Sequence, residues 1–548
     1  MKKRVFVRAI CVLFPTFLID GLVILGLWYV AHPAISLRNE GFWWMLALTM
    51  VLLSVGATIS HSLMFLYVEG ELHIHVALWI LTGVVFVVTV FMELSSWMWF
   101  HTQNAIRVAN VSSSEKSVVE VLPELTETGM ENLTLVDLDT AIMLGDKKVA
   151  GLENASWYDV EDNYSLVRYQ GKYYRLSFLK YGDFWKYRKA KYDGIPGYIL
   201  VETTPEGEIV SQEAVLVELK NPIRYSTSGF FSYDLKRHLR FQYSGYIFGY
   251  SISEIDENGV PYFVTAVLEP TGGMFGQKVV KSVILTNACT GDSTEYRVDE
   301  VPEWVENVYS VGYLMKIAEW RYTLRNGYWN FSKTGVWHTS FYYRDKRSSQ
   351  DDGEFANFYG YSMIVVDGKT MIYTGLTAAN RANSNLGWLL MDTRTGEMTE
   401  YSVVGAEESS AQGAVEQLVS AYRYQATFPL PVNVGGEATY LMCLKGSAGI
   451  VQAYGLCNVT NYSIVVQAET LPEAIGQYLA KLGWSQEEVS RFLARYGRSD
   501  IPTSEVLENE LPFDIDDVVS VSSVEINGGL QYYYELTDGR LFVVVEIR

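Results

Sequence analysis

Ionisable residues inside apolar runs are the first feature of this chain with chemical consequences, and there are three: Asp20, His61 and Glu93. A charge in hydrocarbon is costly, so such residues pair, face a bundle interior or line a path for ions or protons. Depth limits what they can build. With span centres at roughly positions 18, 55 and 87 and ~1.5 Å rise per residue, Asp20 lies ~3 Å and Glu93 ~9 Å toward one side, and His61 ~9 Å toward the other. A metal site shared by all three is not expected. Asp20 and Glu93 could face one another with one carboxyl protonated, because two close charges resist joint ionisation. The alternative is that Glu93 and His61 reach an interface while Asp20 holds helix contacts.

Elsewhere the reactive inventory is thin. Of seven histidines only His238 and His338 lie beyond residue 101, which argues against a multi-histidine metal centre and leaves few bases for a nucleophile. The four cysteines form no C-x-x-C pair. Cys443 and Cys457 flank an expected hairpin and could bridge in an oxidising compartment; two buried free thiols are the alternative. Glu254-x-Asp256-x-Asn258-Gly259 opens like a calcium loop, yet Thr265 stands where a closing glutamate belongs, so a hairpin is expected. No catalytic residue, metal or cofactor is assigned. Two basic aromatic patches stand out against an acidic background: Trp185, Lys186, Arg188 and Lys189, and then Lys236, Arg237, His238 and Arg240. They could grip an anionic glycan, a lipid headgroup or a partner's acidic face, or simply be solvated helix faces.

The elements that must position these residues begin with three apolar runs at 5–30, 42–68 and 73–100, each longer than the ~20 residues that cross a bilayer. Trp28 and Tyr29, Trp43 and Trp44, and Trp97 and Trp99 fall at one face of an up-down-up arrangement, as an interfacial belt should. Lys2, Lys3, Arg4 and Arg8 favour a cytoplasmic N-terminus and hence an integral protein of the cell membrane with an extracytoplasmic body. Charges within residues 1–100 cancel, so the formal −20 belongs to the remainder. Such a body should avoid nucleic acid.

Residues 101–134 turn polar and read as a stalk. From 135 to 484 the texture is short apolar runs rich in Tyr, Val and Thr, broken by Gly, Asn and Asp, which is a strand signature. Asn258-Gly259, Asp367-Gly368, Asp193-Gly194 and Gly435-Gly436 supply the positive φ angles that tight hairpins need. Superposing the hairpins exposes a repeat: Gly249-Tyr250-Ser251 returns as Gly360-Tyr361-Ser362, and Thr290-Gly291-x-x-Thr294-Glu295-Tyr296 as Thr395-Gly396-x-x-Thr399-Glu400-Tyr401. The clearest copies cover about 245–310 and 357–424. Ser485-Gln486-Glu487-Glu488 is a capping box that opens a helix, and 485–548 reads as that helix plus a small β-meander. The expected class is therefore α+β: a three-helix transmembrane block, a β-rich region of repeated hairpin-strand-helix units, and a terminal β-module.

The stretch Asp392-Thr393-Arg394-Thr395-Gly396-Glu397 between two strands resembles the hairpin of PepSY-type domains, small α+β modules of secreted or membrane-anchored bacterial proteins, some of which are inhibitory propeptides of proteases. The first copy departs from that pattern, with Asn287 and Asp292 at the acidic positions. Residues 137–145, 237–243 and 427–431 are similar to an uncharacterised group of bacterial membrane-anchored proteins. The resulting expectation is a non-catalytic binding or scaffolding protein of the cell envelope, integral to the membrane, with a protein, peptide or glycan partner and room for a homo-oligomer. The other classes are an envelope glycan- or peptide-acting hydrolase using acidic residues, and a subunit of a membrane transport assembly.

Overall fold

The computed structural model describes residues 2–68, 74–125, 133–330, 337–339, 360–378 and 384–494, apart from 153, 162, 207–208 and 211–212, together with strands at 518–526, 529–536 and 541–545. These fall into two compact units, 1–496 and 497–548.

Three helices open the first unit: α1 (Lys2–Ala31), α2 (Glu40–Val68) and α3 (Ile74–Ser95). Each is long and apolar enough to cross a membrane. Apolar burial gives no reason for such helices to associate in lipid; small residues and interhelical hydrogen bonds do. Thr16 and Ser60 share a hydroxyl bond of 2.7 Å, Trp28 Nε1 donates to Thr49 Oγ1 at 2.9 Å, and Ser54 and Thr82 meet at 2.8 Å. Gly56 leaves the space that the Asp20 carboxylate fills, since a Cβ at 56 would lie 1.6 Å from Asp20 Oδ2.

The segment expected to be a stalk is instead packed into the body. Helix α4 (Thr102–Val108) buries Ala105 and Ile106 against Leu324. Strand β1 (Val111–Ser113) pairs in parallel with residues 398–400, and Leu122 and Leu125 enter the main core. Three apolar residues, Val118, Leu122 and Leu125, are enough to tie down a run whose average polarity reads as solvent-exposed chain.

Four sheets follow, antiparallel apart from the β1 pairing on the third, each preceded by a helix. The first joins α5 (Leu138–Val149) to β2 (Tyr158–Val160), β3 (Ser165–Tyr169), β4 (Lys172–Tyr181), β5 (Ile195–Glu202) and β8 (Ala214–Ile223), with the small hairpin β6 (Pro205–Glu206) and β7 (Ile209–Val210) beside them. Helix α6 (Phe184–Ala190) interrupts it between β4 and β5, so Asp193-Gly194 closes that helix rather than a hairpin: Gly194 N bonds Ala190 O at 2.9 Å. The second is α7 (Leu235–Gln242) and the meander β9 (Ile247–Ile255), β10 (Pro261–Pro270), β11 (Lys278–Asn287) and β12 (Ser293–Arg297). The third is α8 (Val311–Thr323) with β13 (Trp337–Thr339), β14 (Ser362–Val366), β15 (Lys369–Ala378), β16 (Ser384–Asp392), β17 (Met398–Tyr401) and β18 (Gly405–Ala406). The fourth is α9 (Glu408–Leu418) with β19 (Gln425–Ala426), β20 (Leu430–Val434), β21 (Glu437–Lys445), β22 (Val451–Asn458) and β23 (Val465–Ala468). One hydrophobic cluster draws on the first, third and fourth sheets and takes Ile255, Phe263, Val267 and Ile284 from the second.

The two Thr-Gly turns are the same object. Leu285 pairs with Thr294 as Leu390 pairs with Thr399, and Val283 with Tyr296 as Trp388 with Tyr401. Asn287 Oδ1 accepts from the amides of Cys289 and Thr290 (2.9 and 3.0 Å), and Asp392 Oδ1 accepts from Arg394 and Thr395 (2.7 and 3.0 Å). An asparagine therefore does in the first copy what the aspartate does in the second, because only the carbonyl-type oxygen is used. Asn458 Oδ1 repeats the pattern on Thr460 and Asn461 (3.0 and 2.8 Å), a third instance the sequence hides behind different residues.

The body sits on the end of the helical block where α1 ends, α2 begins and α3 ends. Arg38 pairs with Glu269 at 2.8 Å and donates to Pro270 O at 2.6 Å; Phe275 N donates to Ser96 Oγ at 3.0 Å, and Asn104 Nδ2 to Thr271 Oγ1 at 2.9 Å. After the sheets, α10 (Leu471–Lys481) and α11 (Gln486–Ala494) close the first unit. The capping box forms, with Ser485 N and Oγ both 2.7 Å from Glu488 Oε2. Helix α11 packs on α10, Trp484 meeting Phe492 edge-on, so the unit boundary falls after the helix and not before it. The second unit holds the antiparallel meander β24 (Val518–Ile526), β25 (Gly529–Leu536) and β26 (Leu541–Val545).

Candidate functional site

Where the first, third and fourth sheets meet, the body leaves a cavity of about 180 Å³. Its wall comes from the start of α5 (Asp137, Asp139), from β4 (Arg175), from β14 (Ser362, Met363) and from β19 to β21 (Thr427, Phe428, Cys443, Lys445). Alternation along β4 explains Arg175. Leu176 and Phe178 point into the main core, while Tyr173 and Arg175 share the other face, which β14 covers through Met363 and Val365. The arginine is thus committed to burial by its register.

Arg175 is 4% exposed. Its Nε donates to Val136 O at 3.2 Å and its Nη1 lies 3.0 Å from the Met363 sulfur, a weak acceptor. Among the described residues it makes no ion pair. Burial pulls its pKa below the ordinary guanidinium value, opposed by Tyr361 and Asp137. Ser362 Oγ, also on the wall, is buried with no hydrogen-bond partner. The second cation, Lys445, is engaged: its Nζ lies 2.7 Å from Asp137 Oδ2. Asp137 Oδ1 in turn caps α5, accepting from Thr140 N at 3.2 Å. Burial, and then Asp137, hold the Asp139 carboxyl above its usual range. Cys443 is buried with its thiol pushed up to about 12, chiefly by burial, so it is a wall and not a nucleophile. The arrangement offers a forked donor with unused capacity, a hydroxyl and an aromatic side, which suits a bound carboxylate.

The sequence-derived candidates are distributed elsewhere. Asp20 lies against Gly56 of α2, and the described contacts bring it no carboxylate partner from α3; Asp20 Oδ2 and Glu93 Oε2 are both buried without a hydrogen bond. His61 meets His75 with ring centroids 4.3 Å apart and planes tilted by 32°. Cys443 and Cys457 do not bridge: both are free, on neighbouring strands where Cys443 opposes Tyr454 and Cys457 opposes Tyr440, which sets them three pairs apart and on opposite faces.

Of the second basic patch, Arg240 is buried, donating to Ser244 O at 3.3 Å and to Tyr246 O, with its guanidinium 4.4 Å from the Phe248 ring. Arg237 lies 4.5 Å over the Tyr29 ring of α1, and His238 Nε2 is 2.7 Å from Gly291 O. Only Lys236 of this group is fully exposed. In the first patch, Asp183 caps α6 by accepting from Lys186 N at 2.9 Å, while Trp185 (66% exposed), Arg188 and Lys189 face solvent.

Glu254, from the stretch that opens like a calcium loop, is fully buried and belongs to a hairpin instead. Its Oε1 accepts from Asn307 N at 2.8 Å and Nδ2 at 2.7 Å. Sequence reasoning missed Arg175, Ser362 and Lys445 altogether. The one available signal was a lone arginine in a strand whose neighbours are apolar on both faces. No family model, curated protein or solved structure matches the chain.

Proposed function

We propose that the chain is a non-catalytic binding protein, anchored in the cell membrane by α1 to α3, whose body works on the extracytoplasmic side and holds a small carboxylate-bearing group in the cavity between its sheets. The observation that carries this reading is Arg175: a buried guanidinium with no carboxylate in contact among the described residues, beside the buried Ser362 hydroxyl, which has no partner among them either. A buried cation that no ion pair neutralises carries a net cost, and a fold keeps one where a ligand supplies the missing charge. A space of this size accommodates roughly a benzene-sized group, so the ligand is either a small molecule or the end of a larger one, such as a peptide C-terminus or an acidic sugar.

Binding rather than hydrolysis is favoured because Asp137, the carboxylate best placed at the cavity, is engaged by Lys445 and by the helix cap. The shared turn geometry supports treating the helix-and-sheet units as copies of one PepSY-type module, with the cavity as the product of their fusion. A panel of amino acids, short peptides and uronic acids, added to the detergent-solubilised full chain, tests the reading by melting temperature and calorimetry. At least one carboxylate should stabilise the chain, its amide analogue should not, and Arg175→Met should abolish the response. A panel that moves neither protein, or moves both alike, refutes it.

A further inference from the structure

The two basic aromatic patches are joined into one surface, and that surface begins at the last turn of α1. Tyr29 lies in that turn, and Arg237 of α7 sits 4.5 Å over its ring. Phe241, on the next turn of α7 and 68% exposed, meets His32 edge-on at 5.7 Å. The chain of contacts continues outward. Arg237 Nη1 approaches Phe231 O at 3.4 Å, the Phe231 ring packs 6.2 Å from Phe184 of α6, and Trp185 lies 5.4 Å from Phe184. Phe231 and Trp185 are 52% and 66% exposed. Around these rings stand Arg188, Lys189 and Lys236, none of which makes an ion pair among the described residues. Two acids of this surface, Asp183 and Asp234, cap α6 and α7 through the amides of Lys186 (2.9 Å) and Arg237 (2.7 Å).

We infer that α6 and α7 rest on the bilayer surface and bind the anionic headgroups of the leaflet in which α1 ends. The inference rests on α1 to α3 crossing the bilayer and is independent of what fills the cavity. Continuity with the span sets the depth: a helix packed against the final turn of a membrane segment stands at headgroup level, where Trp, Tyr and Phe partition and Lys and Arg reach phosphate. Charge sets the lipid. The chain as a whole carries −20, so a surface where Arg188, Lys189 and Lys236 make no ion pair among the described residues is one that an anionic leaflet attracts rather than repels.

The test uses the full chain, with Cys11 and Cys289 replaced by serine, reconstituted in vesicles of phosphatidylcholine alone or mixed with phosphatidylglycerol. A fluorophore is placed by Trp185→Cys or, as reference, by Tyr422→Cys, a similarly exposed aromatic (68%) between α9 and β19. Quenching by a lipid carrying a nitroxide near its headgroup should be at least about twofold stronger at 185 than at 422, and should rise further with phosphatidylglycerol. In Arg188→Glu/Lys189→Glu/Lys236→Glu the phosphatidylglycerol increment should vanish while the melting temperature holds, because all three positions are exposed. Equal quenching at the two sites overturns the inference, and so does an increment that survives the charge reversal.

Discussion

Two buried polar clusters lie side by side in the body, separated by the Phe428 ring, and they are built on opposite plans. On one side, Glu408 (1% exposed) accepts hydrogen bonds from Tyr373 and from Asn385 Nδ2 at 3.0 Å, while Asn385 also reaches Tyr440 at 2.9 Å and Tyr440 donates to Ala406 O at 3.2 Å. Backbone has been cleared to make room for this carboxylate: a Cβ on Gly375 would stand 2.2 Å from Glu408 Oε1. On the other side, the Phe428 ring, 6.2 Å from that of Tyr373, lines the cavity that keeps Arg175 and Ser362 with bonding capacity unused. The first cluster brings its own partners to the charge; the second leaves the charge to be met from outside. Buried polar groups therefore do two different jobs here, one locking the third sheet to the fourth and one keeping a position open.

The lock should be the more costly to break. Glu408→Ala leaves the Tyr373 hydroxyl and one Asn385 N–H buried without an acceptor, at about 1–3 kcal/mol for each such group. A net loss of about 3 kcal/mol is expected, because Tyr373 and Tyr440 can still bond one another at 3.2 Å. Chemical denaturation of the solubilised chain measures it. A loss below about 1 kcal/mol would place this cluster in the same category as the cavity.

Glu254 is the intermediate case, with one oxygen held by Asn307 and the other, Oε2, left bare. Burial holds its carboxyl well above the usual range, with Glu306 acting in the same direction and the two Asn307 bonds opposing. A raised folded-state pKa means the fold prefers the protonated form. Its stabilising contribution is whole below the unfolded value near 4.5 and is lost as pH rises through the folded value. Glu254→Gln imitates the protonated acid at every pH, since its oxygen can accept both Asn307 donors. The variant should match wild type in acid and exceed it increasingly toward neutral pH. Parallel melting curves from pH 4 to 8 would show that the carboxyl ionises without consequence.

How far these regions were legible in the sequence follows from the range of the interactions that make them. The apolar helices, the Asp367-Gly368 and Gly435-Gly436 turns (all four residues at positive φ) and the Ser485–Glu488 box depend on neighbours a few positions away, and their residues could be read directly. The cavity depends on Asp137, Arg175, Ser362 and Lys445, which meet only after three sheets have packed. Alternation in β4 says that Arg175 shares a face with Tyr173; it cannot say that β14 will cover that face. The same limit made Arg240 look like a surface cation. A short helix reading Leu-Lys-Arg-His-Leu-Arg gives no sign of which arginine will turn inward onto the Ser244 and Tyr246 carbonyls. The supposed stalk failed for the mirror reason, since Leu122 and Leu125 are too few to outweigh their polar neighbours in any local average.

The smallest effect on stability is expected from the residue argued to matter most for binding. Arg175→Met removes the bond to Val136 O, which costs about 1 kcal/mol, and also removes an unneutralised charge from the interior, which returns a similar amount. Methionine follows the arginine stem and packs beside Met363, so the cavity wall stays apolar and filled. The unliganded variant should therefore differ from wild type by less than about 1 kcal/mol, well under the loss at Glu408. Adding a carboxylate that stabilises wild type should then widen the gap, because only wild type has a site to fill. If Arg175→Met instead weakens the empty protein as much as Glu408→Ala does, the guanidinium is a structural strut, and the two clusters are one plan executed twice.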